Sequence, residues 1–300
     1  MRLVSYQHNG YILEGRLLNG KLYDLHNGAE VSDYKLLAAV PRPNSVRDGY
    51  AFRQHVASAR RNRGLAMIPE FDQYPIFYFT NHNAIYGPGP VYCMLDHFEK
   101  LDFELEVAIV IGKHGRNIKA TEADSYIKGY MIMNDLSART LQMEEMLLNL
   151  GPAKGKDFAT ILGPWLVTTD ELEPYKIAPK AGHTGNNYNL EMTCEVNSIE
   201  VSRGNMADMD WTFAEIIERA SYGADLYPGD VIGSGTVGTG CFLELNGTGK
   251  LNDPAYKEQW LQAGDEITMK ITGLGELTNT ILAEQTDWSI LQQKKIYEKL

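Results

Sequence analysis

The amino-acid sequence predicts an α+β fold that is mostly β. Residues 107–111 form an unbroken apolar run closed by Gly112, the mark of a strand buried on both faces. The first 40 residues read as short strands joined by turns, and the last third is again rich in short strands between turn signals. Helical signals are short: periodicity near residues 46–61 and 210–220, and a capping pattern at 121–126.

From the N-terminus, residues 11–25 hold an Asn19-Gly20 turn between two apolar runs, the strongest short hairpin signal. Residues 1–44 are predicted to form a small β-rich N-terminal domain, too short for much of a core, ending at the linker Pro41-Arg42-Pro43-Asn44. Residues 45–300 then form the larger domain. Residues 46–61 fit a helix with Phe52, Val56 and Ala59 as its apolar stripe. If the helix runs through Gly49, Asp48 and His55 share one face two turns apart; otherwise Asp48 precedes it. A lone helical histidine is more commonly a hydrogen-bonded core or surface residue. Residues 74–80 are a β-prone aromatic run containing Tyr78, with His82 beyond it and a firm turn at residues 87–90.

In the next strand Asp102, Glu104 and Glu106 alternate to one face, while Phe103, Leu105 and Val107 take the other. Carboxylates entering a core repel one another, and each costs several kcal/mol unless a cation meets it. A divalent metal with oxygen ligands is one such cation. A solvated edge strand would carry the same row of acids. A short helix with Thr121 as N-cap is expected over residues 121–126. Residues 127–139 read as a buried strand ending in polar residues, Asp135 among them, with Arg139 and Gln142 on the following turn. Residues 150–160 are glycine-rich with Lys154 and Lys156, but the Walker spacing is absent. An isolated lysine there is more commonly solvated.

Residues 190–196 alternate as a strand before an Asn197-Ser198 turn, and residues 210–220 fit a helix with Asp210 as acidic N-cap. Residues 227–240 hold a turn, a strand and a glycine-dense loop, where backbone can approach a ligand closely. Glu244, between Phe242-Leu243 and Leu245, reads as another acid in an apolar strand, and residues 261–267 begin one more hairpin.

Composition narrows the partners. A formal net charge of −11 argues against nucleic acid, which needs a basic surface, and suits a hard cation. No apolar run approaches the roughly 20 residues that span a bilayer, and Met1-Arg2-Leu3-Val4 lacks a signal-peptide plan. Cys93, Cys194 and Cys241 are odd in number and widely spaced, which indicates neither disulfides nor zinc. They are expected to be reduced packing residues of a cytoplasmic protein.

The segments Asp102-Phe103-Glu104-Leu105-Glu106, Met133-Asn134-Asp135-Leu136-Ser137-Ala138-Arg139, Gly155-Lys156-Asp157-Phe158 and Ser234-Gly235-Thr236 occur in the order seen in the fumarylacetoacetate hydrolase family, which residues 45–290 resemble. Asp48-Gly49-Tyr50, Arg53-Gln54-His55 and Phe242-Leu243-Glu244-Leu245 are similar to fumarylacetoacetases proper. The resemblance implies a mixed β-sandwich roll with peripheral helices, usually homodimeric. It implies that Asp48, Glu104, Glu106 and Asp135 bind magnesium or calcium, that His55 activates water, and that Glu244 orients it. Arg139, Gln142 and Lys156 resemble the oxyanion-stabilising groups, and Tyr50, Tyr78 and Thr236 the substrate contacts. Leu136 and Met146 depart from the animal enzymes, which have tryptophan and a substrate-contacting tyrosine there. The N-terminal piece is also much shorter.

The expected activity is hydrolytic cleavage of a carbon–carbon bond in a β-diketo acid, the metal stabilising the enolate leaving group. Decarboxylation, hydration or isomerisation of a 2-oxo acid on the same platform is the alternative. A third reading is an inert module whose carboxylates serve a structural cation; a His55→Ala comparison separates it from an enzyme.

Overall fold

The strand Leu105–Ile111 is buried along its whole length, and its two faces feed two cores. Leu105, Val107, Ile109 and Ile111 enter the main core. Ala108 and Val110 enter a second, with Val46, Met131, Met133, Leu162, Leu166 and Val231. This is the period-two alternation expected of a strand with no solvent face. The structure is a computed structural model that describes residues 1–295.

Around this strand runs a large, mostly antiparallel sheet. On one side lie Ile127–Asp135, Thr160–Thr168, Arg2–His8, Tyr11–Leu18 and Lys21–Asp24; on the other lie Val231–Gly233, Val46–Gly49 and Phe77–Thr80. A second sheet orders Ile199–Asn205, Glu191–Val196, Glu266–Ile271, Gly275–Ala283 and Gly89–Cys93. The main core fills the space between them, with Ile109, Ile132 and Ile161 from the first sheet meeting Met192, Met269, Leu277 and Ile281 from the second. The mostly β, mixed-sheet architecture is the one anticipated from the sequence. The Asn19-Gly20 hairpin forms, with φ of 51° and 76° at its two central residues. Strand Arg2–His8 pairs with Thr160–Thr168, so the N-terminal hairpin continues the large sheet. Cys93, Cys194 and Cys241 are free and buried. Among the described residues no helix is long and apolar enough to cross a membrane.

Several local expectations are corrected. Residues 46–49 are a strand, parallel to Val231–Gly233, and the helix is only Arg53–Arg61. Asp48 and His55 therefore sit on different elements. Residues 121–126 form a helix Ala120–Ala123 and a 3₁₀ turn, with Thr121 inside rather than capping. The later helix is Phe213–Ser221, capped by Thr212 and Glu215; Asp210 accepts from the Arg53 backbone N–H instead, at 2.9 Å. Glu244 lies in the helix Phe242–Asn252, not a strand. Asp102 leaves the acidic row, because residues 101–102 pair with 137–138 as a separate ribbon.

His97 is buried against Phe158, with ring centroids 3.9 Å apart, and accepts the Met94 N–H at Nδ1. Burial, with the nearby charge of Lys154, pushes its pKa from 6.5 down to about 4 despite Asp96 and Asp157. The unfolded chain thus takes up a proton that the folded one refuses, and stability falls as pH drops from 6.5 towards 4. Urea titrations at pH 7 and near pH 4.5 are expected to show His97→Asn losing roughly 2 kcal/mol less than the parent over that interval. Equal losses would remove His97 from the acid response.

Candidate active site

The acids converge because strand ends converge. Strands Ile127–Asp135 and Val231–Gly233 run antiparallel to Leu105–Ile111, and Val46–Gly49 runs parallel to Val231–Gly233. The C-terminal ends of three strands thereby meet the start of the fourth. Asp48, Glu104, Glu106 and Asp135 are all buried, and each offers an oxygen within 4.8 Å of the others. Two glycines make the space. A Cβ on Gly233 would lie 2.4 Å from Asp48 Oδ1 and 3.0 Å from Glu106 Oε2. Gly235, at φ +77°, would collide with the Gly49 carbonyl, and its N–H donates to Asp48 Oδ1 at 3.0 Å.

Two buried cations face this cluster. Lys156 Nζ donates to Glu104 Oε2 at 2.5 Å and to Asp135 Oδ2 at 2.8 Å. It is buried rather than solvated, whereas Lys154 is exposed and pairs with Asp157. Arg139 Nη2 donates to Glu104 Oε1 at 2.7 Å and Nη1 to Gln142 Oε1 at 3.0 Å. Burial raises the Glu104 pKa, but Lys156 and Arg139 outweigh it and hold the group at about 2. Asp48 has no such partner. Burial and the charge of Asp135 push it up to about 7. Glu106 rises well above the carboxylate range through burial and then Asp48, Glu104 and Asp135. Burial also raises Asp135, with Lys156 opposing.

Asp48 and Glu104 of the cluster open onto a cleft of about 620 Å³. Asp48, Tyr50, His55, Tyr78, Glu104, Arg139, Gln142, Lys156 and Thr236 line it. The other expected residues stand just behind. Glu106 accepts from Thr236 Oγ1 at 3.4 Å, and Asp135 accepts the Tyr78 hydroxyl. Glu244 Oε2 lies 2.7 Å from His55 Nδ1 and also accepts the Thr239 N–H at 3.0 Å. His82 is exposed and takes no part. Sequence reasoning passed over Arg63, Lys100, Met143 and Trp260, which also line the cleft. Their positions carry no local signal, since four separate elements bring them together.

The residues fit a hard divalent cation. The donor set is all oxygen, and among the described residues Glu106 Oε2 and Asp135 Oδ1 are buried without a hydrogen-bond partner. Such orphaned acceptors at the centre of surplus negative charge are what a cation would satisfy.

Fold and site together define a class: mostly β proteins with a nest of buried carboxylates at converging strand ends, beside a histidine–glutamate pair. The chain belongs to the fumarylacetoacetate hydrolase family, residues 44–282 matching the domain described as fumarylacetoacetate (FAA) hydrolase, C-terminal. It is 34% identical over 63% of its length to the fumarylacetoacetase of Arabidopsis thaliana, covering 49% of that protein. It is 31% identical over 84% of its length to a mitochondrial oxaloacetate tautomerase of Bos taurus, covering 70% of it, and to the oxaloacetate tautomerase YisK of Bacillus subtilis, covering 74%. The chain thus spans about half the length of the plant fumarylacetoacetases it matches. Among solved structures, the fumarylacetoacetate hydrolase from Exiguobacterium antarcticum superposes with a TM-score of 0.71 at 25% identity, over 95% of this chain and all of that one. The 5-carboxymethyl-2-hydroxymuconate delta-isomerase of Mycobacterium smegmatis shares the fold at the same TM-score, the same coverage and 24% identity.

An acid held above its ordinary pKa keeps, when folded, a proton that the unfolded chain has released, so the chelator-treated protein loses stability as pH rises towards 7. Glu106→Gln removes one such group and is expected to stabilise that form at pH 7 by about 1–3 kcal/mol. The same substitution should abolish most of the Tm rise produced by magnesium in the parent. Thermal melts with chelator and with magnesium check both signs; a variant that keeps the full magnesium response would exclude Glu106 as a ligand.

Proposed function

We propose that this protein hydrolyses a carbon–carbon bond in a β-diketo acid of the fumarylacetoacetate or acylpyruvate type. The observation that carries this reading is the 2.7 Å contact between His55 Nδ1 and Glu244 Oε2 at the wall of the cleft. With Nδ1 engaged, Nε2 is the ring nitrogen left to meet a water. A magnesium or calcium ion held by Asp48, Glu104, Glu106 and Asp135 would, when bound, polarise the two oxygens of the dicarbonyl.

The chain's own residues supply the rest. His55 takes a proton from water at Nε2, and Glu244 steadies the resulting imidazolium. The hydroxide oxygen adds to the carbonyl carbon, and Lys156 and Arg139 face the negative charge that develops on the carbonyl oxygen. As the carbonyl re-forms, the carbon–carbon bond breaks and its electron pair leaves as an enolate. The imidazolium returns its proton to that carbon. Acid and ketone are released, and His55 is neutral again. Oxyanion donors of this kind are typically worth about 3–4 kcal/mol each in mutagenesis.

Tautomerisation of oxaloacetate is the second reading, favoured by the relatives of that name that match 84% of the chain. It moves one proton between carbon and oxygen and needs no nucleophilic water. A base at His55 serves either reaction; the 34% identity to plant fumarylacetoacetases favours hydrolysis.

Purified protein with magnesium is expected to convert acylpyruvates to pyruvate and the free acid. His55→Ala should lower kcat about 10²–10⁴-fold, with magnesium affinity within about threefold and the fold retained. Turnover of oxaloacetate alone would reject hydrolysis in favour of the second reading.

A further inference from the structure

We infer that Asp102 is a positioning residue that fixes two arms of the site relative to each other: the Arg139 guanidinium and the helix that presents Glu244. The inference rests on the hydrolytic reading above and assigns a role to an acid that takes no part in the carboxylate cluster.

Asp102 is fully buried and meets four donors. Its Oδ2 accepts from Arg139 Nε at 2.8 Å, Arg139 Nη2 at 2.7 Å and the Leu243 N–H at 3.0 Å. Its Oδ1 accepts the Phe242 N–H at 2.7 Å. Phe242 and Leu243 open the helix Phe242–Asn252, whose own N-cap residue, Cys241, supplies no side-chain acceptor. The first turn of that helix is therefore capped from another strand. One residue further on, Glu244 reaches His55 Nδ1. On the other side, Arg139 reaches Glu104 in the cluster. A continuous path of hydrogen bonds thus runs from Glu104 through Arg139, Asp102 and the helix start to Glu244 and His55.

The chemistry of the link demands a carboxylate. Every group that Asp102 meets is a donor, so both oxygens must be acceptors. An asparagine of the same shape would turn its amide N–H₂ toward at least one N–H, forcing either the guanidinium or the helix start to move. Partners that orient functional groups in this way typically contribute about 10–100-fold in activity.

The test compares the parent with Asp102→Asn, Asp102→Glu and Glu244→Gln, all loaded with magnesium. In ¹⁵N-histidine-labelled protein, the hydrogen-bonded His55 Nδ1 proton should resonate far downfield in the parent and move upfield in Glu244→Gln, whose neutral amide oxygen is the weaker acceptor, and in Asp102→Asn alike. On the substrate the parent turns over, Asp102→Asn should lower kcat about 10–100-fold with KM within about threefold. Combining it with Glu244→Gln should cost little beyond Glu244→Gln alone, because both changes break one path. A folded Asp102→Asn protein with a lower Tm but parental kcat and an unshifted His55 proton would overturn the inference, leaving Asp102 a purely structural cap. If Asp102→Asn does not fold, Asp102→Glu keeps the charge but displaces it by one methylene; parental kcat and an unshifted proton there would overturn it equally. A parent inert toward both acylpyruvates and oxaloacetate would sink the functional reading instead, and the His55 proton would still decide the role of Asp102.

Discussion

The interaction on which the rest depends is mutual repulsion among carboxylates that the fold insists on burying. Asp48, Asp102, Glu104, Glu106 and Asp135 all lie below the surface, and among the described residues two buried cations pair with them, Lys156 and Arg139. Desolvation alone would neutralise or expel such groups. They stay because each is mounted on an element held elsewhere by apolar packing. The strand under Glu106 is gripped on both faces, and the strand ending in Asp135 contributes Ile132 to one core and Met131 and Met133 to the other.

The two cations are spent unevenly, and that unevenness organises the site. Glu104 receives both Lys156 and Arg139 and is held ionised. Asp48 and Glu106 bond to neither, and burial among like charges shifts both towards the acid form. Glu104 is thus pre-charged, while among the described residues Glu106 Oε2 and Asp135 Oδ1 are left without a hydrogen-bond partner. The histidine–glutamate pair stands on two helices, Arg53–Arg61 and Phe242–Asn252, and the charge of His55 still acts on Glu104.

Local sequence carried the elements whose causes are local. The apolar run at 107–111 is a fully buried strand, and the Asn19-Gly20 and Asn197-Ser198 turns both formed, the last with φ of 51° and 63°. The acids at 102–106 and 135 stood out as charges entering apolar runs. Three readings failed for one reason, a distant partner. Residues 46–49 look helical beside Phe52 and Val56, but Val231–Gly233 offers them a strand to pair with. Glu244 sits among Phe242, Leu243 and Leu245, a pattern equally suited to a strand; Asp102, 140 positions earlier than Phe242, accepts the first helical N–H groups. Lys156 looks like a solvated loop lysine until Glu104 and Asp135 are placed against it.

By itself the sequence determined the fold class, the buried central strand, and which acids and which histidine were candidates, since hydrophobic periodicity and residue type are properties of neighbours along the chain. The tertiary structure alone decided that four of those acids share one space, that Asp102 serves a helix instead, and that Lys156 is buried. Charge and hydrogen bonding act over a few ångströms, and only the pairing of strands far apart in the chain sets which groups come within that reach.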